Sequence, residues 1–205
     1  MSQVTSGFRA VLSSARIYHL LQRAMGAHHS RAVLSRDYIR AEAGDRVLDI
    51  GCGTADILDH LPEVAYHGFD LNPRYIASAQ ARYGARGTFR CEDVRAVTES
   101  EPGTYDLVLA IGILHHLDDA EAAGLLRLAR AALRPGGRLI TFDSCYVVGQ
   151  SRIAKLLIDL DRGRNTRTEP AYRALAEAAF SSVKSAVHHD LLHFPYTHAI
   201  LECQA

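Results

Sequence analysis

The stretch Val47-Leu-Asp-Ile-Gly-Cys-Gly-Thr-Ala55 decides the fold class of this chain. An apolar run that ends in glycines is typical of a strand buried on both faces and followed by a tight turn. In an open parallel sheet, ligands bind beyond the carboxyl ends of the strands, and glycine lets the backbone approach them. The stretch therefore predicts a ligand-binding turn, although a glycine turn that only bends the chain has the same pattern.

Strands and helices alternate on the carboxyl side of this turn. We predict strands at 64–69, 87–91, 105–111 and 138–142, and helices at 56–61, 73–83 and 119–133. Asn72 and Pro73 form a typical helix start, and Asp118 with Glu121 resembles a capping box. This order predicts an α/β fold, in which helices cover both faces of a parallel sheet.

The two ends of the chain have a different pattern. We predict helices at 8–25 and 31–40, an amphipathic helix at 151–160, a helix at 170–180, and strands at 183–192 and 197–203. The last two strands have a short link and must be antiparallel. The whole chain therefore reads as a seven-stranded, mostly parallel sheet with its last strand antiparallel.

Composition narrows the class of protein. The chain has 205 residues, 48% of them hydrophobic, and 23 basic against 23 acidic residues. One domain of this size buries a full core, and the absence of a basic excess disfavours a nucleic-acid partner. No apolar run is long enough for a membrane span, and Met1–Arg16 does not resemble a signal peptide.

Four cysteines lie far apart, without a CxxC pair: Cys52, Cys91, Cys145 and Cys203. This spacing indicates neither a disulfide framework nor a zinc ribbon. We therefore expect a reduced, cytoplasmic protein whose cysteines are small core residues.

Acidic residues follow the second and third strands. Asp70 lies 19 residues after Gly51, where a carboxylate can bind ribose hydroxyls, and Asp93 can accept a hydrogen bond from an exocyclic amine. A helix cap and a plain turn are the structural alternatives. Asp56 occupies the position where the dinucleotide fingerprint requires a third glycine, which counts against NAD or FAD.

Six segments resemble, in the right order, the motifs of class I S-adenosylmethionine-dependent methyltransferases. They are Val47–Ala55, Gly68–Leu71, Glu92–Val94, Tyr105–Leu109, Leu114–Leu117 and Leu133–Arg138. The resemblance implies a Rossmann-like fold, S-adenosylmethionine as cofactor, and methyl transfer. The neutral charge of the chain favours a small molecule over nucleic acid as the methyl acceptor. The resemblance also implies a single domain at 1–205, with a helical cap at 1–42, a cofactor-binding core at 43–144, and a lid and closing hairpin at 145–205.

The resemblance also implies roles for individual cofactor-binding residues. It assigns the methionine portion to Asp49, Gly51 and Gly53, the ribose and adenine to Asp70, Leu71, Asp93 and Val94, and the side near the sulfonium to Ile111 and Gly112. Ala55 replaces a glycine that is frequent in the family. The added methyl group is tolerable there if φ stays negative.

His115 and His116 are the candidate catalytic residues, because they follow the fourth strand where the methyl group should point. A neutral imidazole can remove the proton of the acceptor. The alternative is that one histidine packs and the other orients backbone. We predict no metal site, because His188 and His189 point to opposite faces of a strand.

Arg162, Arg164 and Arg167 crowd one loop and are candidates for binding a carboxylate or phosphate of the acceptor. A solvated surface loop is the alternative. The sequence thus predicts methyl transfer to a small, anionic acceptor, with no nucleic acid, no stable membrane insertion and a homodimer left open. A catalytically silent cofactor-binding module and a nicotinamide oxidoreductase are the other interpretations.

Overall fold

The computed structural model describes residues 26–94, 102–161 and 163–205. The helix predicted at 8–25 lies outside these residues. The strands are β1 (Arg46–Ile50), β2 (Ala65–Phe69), β3 (Gly87–Arg90), β4 (Tyr105–Ile111), β5 (Leu133–Tyr146), β6 (Arg167–Thr168), β7 (Ser182–His188) and β8 (His198–Gln204). The α-helices are α1 (Ala27–Val33), α2 (Pro73–Tyr83), α3 (Asp119–Ala132), α4 (Arg152–Leu160) and α5 (Glu169–Glu177).

The sheet has the strand order β3-β2-β1-β4-β5-β8-β7, with the two-residue β6 beside β5. Strands β1 to β5 are parallel, and β8 runs antiparallel to both β5 and β7. The predicted mostly parallel sheet with an antiparallel last strand is therefore confirmed. The strand order reverses between β1 and β4, and beyond the carboxyl ends at such a reversal an open α/β sheet has its ligand crevice.

The core consists of two apolar layers, one on each face of the sheet. Because successive strand residues point to opposite faces, Val47 and Leu48 belong to different layers. The Leu48 layer packs against α3 and α5, and the Val47 layer packs against α2 and the 34–39 segment. Strands covered on both faces explain the continuous apolar runs of the sequence.

Two predicted helix caps are present. The side chain of Asn72 accepts a hydrogen bond from Arg74 N at 3.0 Å, at the start of α2. Asp118 accepts one from Glu121 N at 2.8 Å, and the Glu121 carboxylate accepts one from Asp118 N at 3.2 Å. These bonds satisfy backbone donors that a helix start leaves unpaired, and the capping box is confirmed.

Several segments differ from the predicted elements, and β5 (Leu133–Tyr146) extends beyond the predicted strand 138–142 at both ends. Residues 56–60 form only a 3₁₀ turn, because Pro62 holds the preceding Leu61 in an extended conformation. Helix α1 begins at Ala27 and continues as a π-helical segment, Leu34–Ile39. The strand predicted at 183–192 ends at His188, where pairing with β8 ends.

The cysteines occupy unequal environments. Cys145 and Cys203 are buried and Cys52 is partly buried, as expected for core residues. Cys91 is exposed after β3, so the prediction that all four are core residues is wrong there. Among the described residues, no helix combines the length and the apolar character that crossing a membrane requires.

Candidate active site at the carboxyl edge of the sheet

The nine predicted cofactor-binding residues lie at the carboxyl ends of four neighbouring strands, in the order β3-β2-β1-β4. They are Asp49, Gly51 and Gly53 at β1, Asp70 and Leu71 after β2, Asp93 and Val94 after β3, and Ile111 and Gly112 at β4. The fold therefore brings them to one edge of the sheet. This is where an open α/β sheet binds its ligand.

The turn after β1 is held against the end of β2. The N–H groups of Gly51 and Cys52 both donate to Phe69 O, at 2.8 and 3.0 Å. Gly51 and Gly53 have φ values of 73° and 55°, which favour glycine. Apart from its chain neighbours, no atom of the described residues lies within 4 Å of the position that a Cβ atom would take on Gly53, so these residues leave room for a ligand close to this backbone.

Ala55 also adopts a left-handed conformation, with φ 56°, so the negative φ that would make alanine easily tolerable is not present. Its N–H donates to Cys52 O, and its carbonyl accepts from Leu58 N. These two hydrogen bonds hold the strained residue between the turn and the 3₁₀ segment. A left-handed alanine costs about 1–2 kcal/mol relative to an ordinary conformation.

Asp70 is tied into the same turn. Its carboxylate accepts hydrogen bonds from Gly53 N at 3.0 Å and from Asn72 N at 2.7 Å. Burial raises the pKa of Asp70, and backbone N–H groups, including those of Asn72 and Gly53, oppose the rise. The side chain of Leu71 beside it is 53% exposed, which leaves an apolar surface beside the carboxylate.

Asp49 is a buried carboxylate with an unused oxygen. Its side chain accepts a hydrogen bond from Tyr66 OH at 2.5 Å, and its Oδ1 has no partner among the described residues. Burial raises the pKa of Asp49 to about 7, against the opposing effect of the Tyr66 hydrogen bond. A buried carboxylate is costly unless it is paired, so this oxygen fits a ligand ammonium group such as that of methionine.

Asp56 occupies the position of the third fingerprint glycine, and its carboxylate is hydrogen-bonded to other side chains of the protein. Its carboxylate accepts from Thr54 Oγ1 and from Arg82 Nη1, both at 2.8 Å, and it is nearly buried. A pyrophosphate-binding turn needs close helix packing and no carboxylate there. This arrangement disfavours a dinucleotide.

His115 lies in the 3₁₀ turn after β4 and is bound to a carboxylate at the end of β5. Its ring Nδ1 lies 2.8 Å from Asp143 Oδ1, and its backbone N–H donates a hydrogen bond to the same oxygen at 3.1 Å. Both side chains are buried, and Asp143 Oδ2 has no partner among the described residues. Asp143 thereby fixes the orientation of the imidazole and leaves Nε2 on the opposite side.

The surroundings of His115 favour its protonated form. Burial lowers the pKa of His115, but the hydrogen bond and charge of Asp143, together with the charge of Asp161, outweigh it and raise the pKa. The Cε1 atom lies 3.8 Å from the position that a Cβ atom would take on Gly112. His116 is exposed, and its ring lies 4.1 Å from the His115 ring between centroids.

A second carboxylate approaches His115 from the end of α4. Asp161 Oδ2 lies 4.0 Å from His115 Nε2 and accepts a hydrogen bond from Tyr196 OH at 2.9 Å. Gly163 passes so close that a Cβ atom there would lie 2.1 Å from His115 Cδ2. Only glycine fits at this position while His115 keeps its place.

An aromatic column lies next to these groups. The ring of His198 stacks on Phe142, with centroids 4.4 Å apart, and Tyr196 packs 4.8 Å from His198. Burial lowers the pKa of His198 to about 3, so its imidazole is neutral. Phe142 and Tyr196 are both partly exposed and offer flat apolar surface near His115.

The three arginines suggested for acceptor binding have different positions. Arg162 lies outside the described residues, and Arg164 is exposed. Arg167 donates to the carbonyl groups of Leu114 and Leu117 and to the Asp119 carboxylate, so its guanidinium holds the turn that carries His115.

Sequence reasoning missed Asp143, Asp161 and Tyr196. Asp143 ends an apolar run, Leu139–Phe142, as Asp70 follows the run of β2, and the same signal could have identified it. Asp161 and Tyr196 come from separate segments with no local pattern.

Comparison with known proteins agrees with this geometry. Residues 48–139 match the family model described as a methyltransferase domain. The ubiquinone biosynthesis O-methyltransferase of Xanthomonas euvesicatoria pv. vesicatoria is 29% identical over 128 residues, which cover 56% of this chain and 53% of that protein. The chain thus spans about half the length of this curated relative.

Solved structures share the fold. The pyocyanin biosynthetic protein PhzM has a TM-score of 0.74 and 17% identity, with 98% of this chain and 62% of that chain covered. A methyltransferase from Archaeoglobus fulgidus has a TM-score of 0.71 and 18% identity, and the match covers 92% of this chain and 99% of that chain. Residues 48–139 of this chain therefore match a methyltransferase domain, and the chain shares its fold with the S-adenosylmethionine-dependent methyltransferase from Archaeoglobus fulgidus.

Proposed function

We propose that this chain transfers a methyl group from S-adenosylmethionine to a hydroxyl group of a small molecule, with His115 as the base. The observation that carries the proposal is the His115–Asp143 pair beside Gly112. The curated relatives named as ubiquinone biosynthesis O-methyltransferases support an oxygen atom as the methyl acceptor.

The residues at the crevice suit the cofactor. The unpaired Oδ1 of Asp49 would bind its ammonium group, the open backbone at Gly53 would face the methionine portion, and Asp70 would bind the ribose hydroxyls. Leu71, Asp93 and Val94 would contact the adenine, with Ile111 and Gly112 beside the sulfur. When bound, S-adenosylmethionine supplies an electrophilic methyl group on a positively charged sulfur.

His115 has two tasks in this proposal. Its neutral Nε2 would accept the proton of the acceptor hydroxyl as the oxygen lone pair forms the bond to the methyl carbon, while the carbon–sulfur bond would break and its electron pair would leave with the sulfur of S-adenosylhomocysteine. Asp143, hydrogen-bonded to Nδ1, holds the ring and stabilises the imidazolium that forms. Burial of both groups strengthens this interaction, because the local dielectric is low.

The experiment compares His115→Gln with the unmodified chain in an assay that follows S-adenosylhomocysteine release over a panel of phenols and alcohols. We expect kcat/KM to fall about 10²–10⁴-fold, the usual contribution of a general base, while the Kd for S-adenosylmethionine changes little. Cofactor binding with no turnover on any acceptor in the unmodified chain would instead support the silent binding module. Unchanged turnover in His115→Gln would refute the assigned base.

Several finer features belong to this proposal as well. We propose a cytoplasmic enzyme of one domain, in which the N-terminal helices and the segment Cys145–Thr168 shape the acceptor pocket. We also propose a small-molecule partner rather than nucleic acid, and a homodimer as the assembly to test. A supporting role for His116 in acceptor binding, and acceptor contacts by Arg162 and Arg164, remain predictions. The engaged guanidinium of Arg167 supports a structural role for that residue.

A further inference from the structure

Helix α4 has apolar side chains on two of its faces. Ala154 and Ile158 are buried against the protein. On another face, Ile153, Leu156 and Leu160 are 58%, 57% and 63% exposed. Residues at i, i+3 and i+7 lie on one side of a helix, so these three side chains form one continuous stripe, called here the α4 stripe.

The exposed apolar surface of the described chain is concentrated around this stripe. Of the five large hydrophobic residues that are exposed in the described ranges, four lie between positions 148 and 160, and the fifth is Leu71 at the cofactor edge. Single exposed apolar residues need no explanation, but a contiguous patch marks a contact with another surface. The α4 stripe is therefore an interaction surface separate from the cofactor-binding residues.

Charged residues beside the stripe indicate what kind of surface fits it. Arg152 and Asp159 are seven residues apart, so they lie on the same flank of the stripe, one near each end of the helix. Arg152 forms no ion pair with another described residue, and Asp159 is paired with Lys155 at 2.7 Å. A basic start and an acidic end oppose the macrodipole of a single helix, which favours the reverse order.

A second copy of α4, packed antiparallel, matches this pattern. A twofold axis beside Leu156 places this residue against Leu156 of the partner subunit. The same axis places Ile153 opposite Leu160 of the partner subunit, and Arg152 beside Asp159 of the partner subunit on the same flank. Every contact then occurs twice, and the two helix dipoles run in opposite directions.

An anionic membrane surface fits the stripe less well. Helices that lie on membranes carry mainly lysine and arginine on the polar face. Helix α4 instead has Asp159 beside the stripe, where a membrane surface of negative charge would repel it. The alternation of charge along the flank thus favours a copy of the same helix.

We propose that the α4 stripe is a homodimer interface, in which α4 packs antiparallel against α4 of a second copy of this chain. The inference goes beyond the proposed function, because it assigns a surface to the homodimer and does not depend on methyl transfer. Oligomeric state is measured without cofactor or acceptor, so failure of the interface and failure of the proposed activity are separate results.

Sedimentation velocity of the full chain at increasing micromolar concentrations tests the interface. We expect a species with twice the mass of one chain. Leu156→Glu should raise the Kd of the dimer at least about 30-fold, because two carboxylates would meet at the axis. The matched control is Ala77→Glu, at an exposed position of α2, which should leave the Kd unchanged.

Exchange of the two flanking charges tests the orientation of the helices. Arg152→Asp and Asp159→Arg should each raise the Kd at least about tenfold, because like charges would then face each other across the interface. The double variant should recover most of the affinity. Arg173→Glu, in an exposed ion pair on α5, is the control and should have no effect. Absence of recovery in the double variant would contradict the antiparallel orientation.

Crosslinking tests the position of the axis. In a Cys91→Ser background, which removes the exposed cysteine, Leu156→Cys should form a disulfide between two copies under a mild oxidant. Ala77→Cys in the same background should not crosslink. Equal crosslinking of both variants would overturn the assigned contact.

Other occupants of the stripe give different results, and each would overturn the inference. One is an unmodified chain that stays monomeric but binds phosphatidylglycerol vesicles, with binding lost in Leu156→Glu; the stripe would then contact a membrane. Another is a monomer that Leu156→Glu destabilises in urea, which would assign the stripe to a contact within the chain. A dimer that persists unchanged in Leu156→Glu would place the interface elsewhere.

Discussion

The side chain of Asp143 determines how His115 can act. It accepts two hydrogen bonds from His115, one from the ring and one from the backbone, and thus fixes both the ring and the turn. Because Asp143 contributes to the raised pKa of His115, the free enzyme should lose activity at acidic pH, with the midpoint above the ordinary histidine value.

Asp143→Asn should lower kcat/KM and move the acidic limb of the pH–rate profile to lower pH, because burial then lowers the pKa of His115 with less opposition. The profile of kcat/KM between pH 5 and 9 is the measurement. A purely structural aspartate would reduce the rate without moving the limb, and that outcome would contradict the positioning role.

The buried carboxylate of Asp49 should lower the stability of the fold at neutral pH and strengthen the binding of the cofactor. Its pKa of about 7 lies above the ordinary aspartate value, so the folded chain binds a proton more tightly than the unfolded chain. As pH rises from about 4 to 7, the unfolded chain releases the Asp49 proton while the folded chain still binds it, so stability falls progressively and levels off above about pH 7.

Asp49→Asn should therefore raise the free energy of unfolding by about 1–3 kcal/mol at pH 8 relative to the unmodified chain, with a smaller gain at pH 5. The same variant should bind S-adenosylmethionine more weakly. Urea unfolding at the two pH values and calorimetric titration measure these effects. A gain of equal size at both pH values would argue against the raised pKa.

At the scale of elements, the turn after β4 depends on the segment that follows α4. Asn165 N donates to His115 O at 3.0 Å, and the Arg167 guanidinium donates to carbonyl groups on the same turn. Gly163 lies between them, against the imidazole. The position of His115 is thus determined from both sides, by β5 and by this segment.

Gly163→Ala should displace His115 and lower kcat/KM at least about tenfold, because its Cβ atom would overlap the imidazole. Gly124→Ala is the matched control: its Cβ position is open, it lies within α3, and alanine there should raise stability by about 0.5–1 kcal/mol. Kinetics and thermal unfolding of both variants check the pair. Full activity in Gly163→Ala would show that the contact is not required.

The start of α3 stabilises the other side of this turn. Asp118→Ala removes the capping box and should cost about 1 kcal/mol of unfolding free energy. Glu177→Ala, which removes an exposed pair with Arg173 on α5, should cost less than about 0.5 kcal/mol. Urea unfolding distinguishes them, and equal losses would contradict the importance of the cap.

At the scale of the whole molecule, the crevice joins four strands that are distant in sequence. A ligand that bridges their ends stabilises only the folded chain. At 100 times its Kd it adds about 2.7 kcal/mol, and for a chain of this length that amounts to a rise in Tm of about 5–10 °C.

Thermal unfolding in the presence of S-adenosylmethionine, S-adenosylhomocysteine or NADH tests whether each ligand stabilises the folded chain. We expect both adenosyl compounds to raise the Tm and NADH to leave it unchanged, because Asp56 occupies the third fingerprint position. A rise with NADH alone would overturn the identification of the cofactor.

The sequence by itself determined the sheet and the edge of the sheet at which the predicted cofactor-binding residues lie. Strand β4 and helix α2 have the predicted bounds, because apolar runs and helix caps are local signals. The carboxyl ends of neighbouring parallel strands meet at one edge, so spacing along the chain was enough to bring Asp49 and Asp70 to the same edge.

Only the tertiary structure decided which groups surround His115. Asp143 lies 28 residues away along the chain, and Asp161 and Tyr196 come from two further segments. The positive φ of Ala55 and the engagement of Arg167 are likewise results of packing. Periodicity and caps encode elements, but the direction of a side chain and its distant partners depend on how those elements pack together.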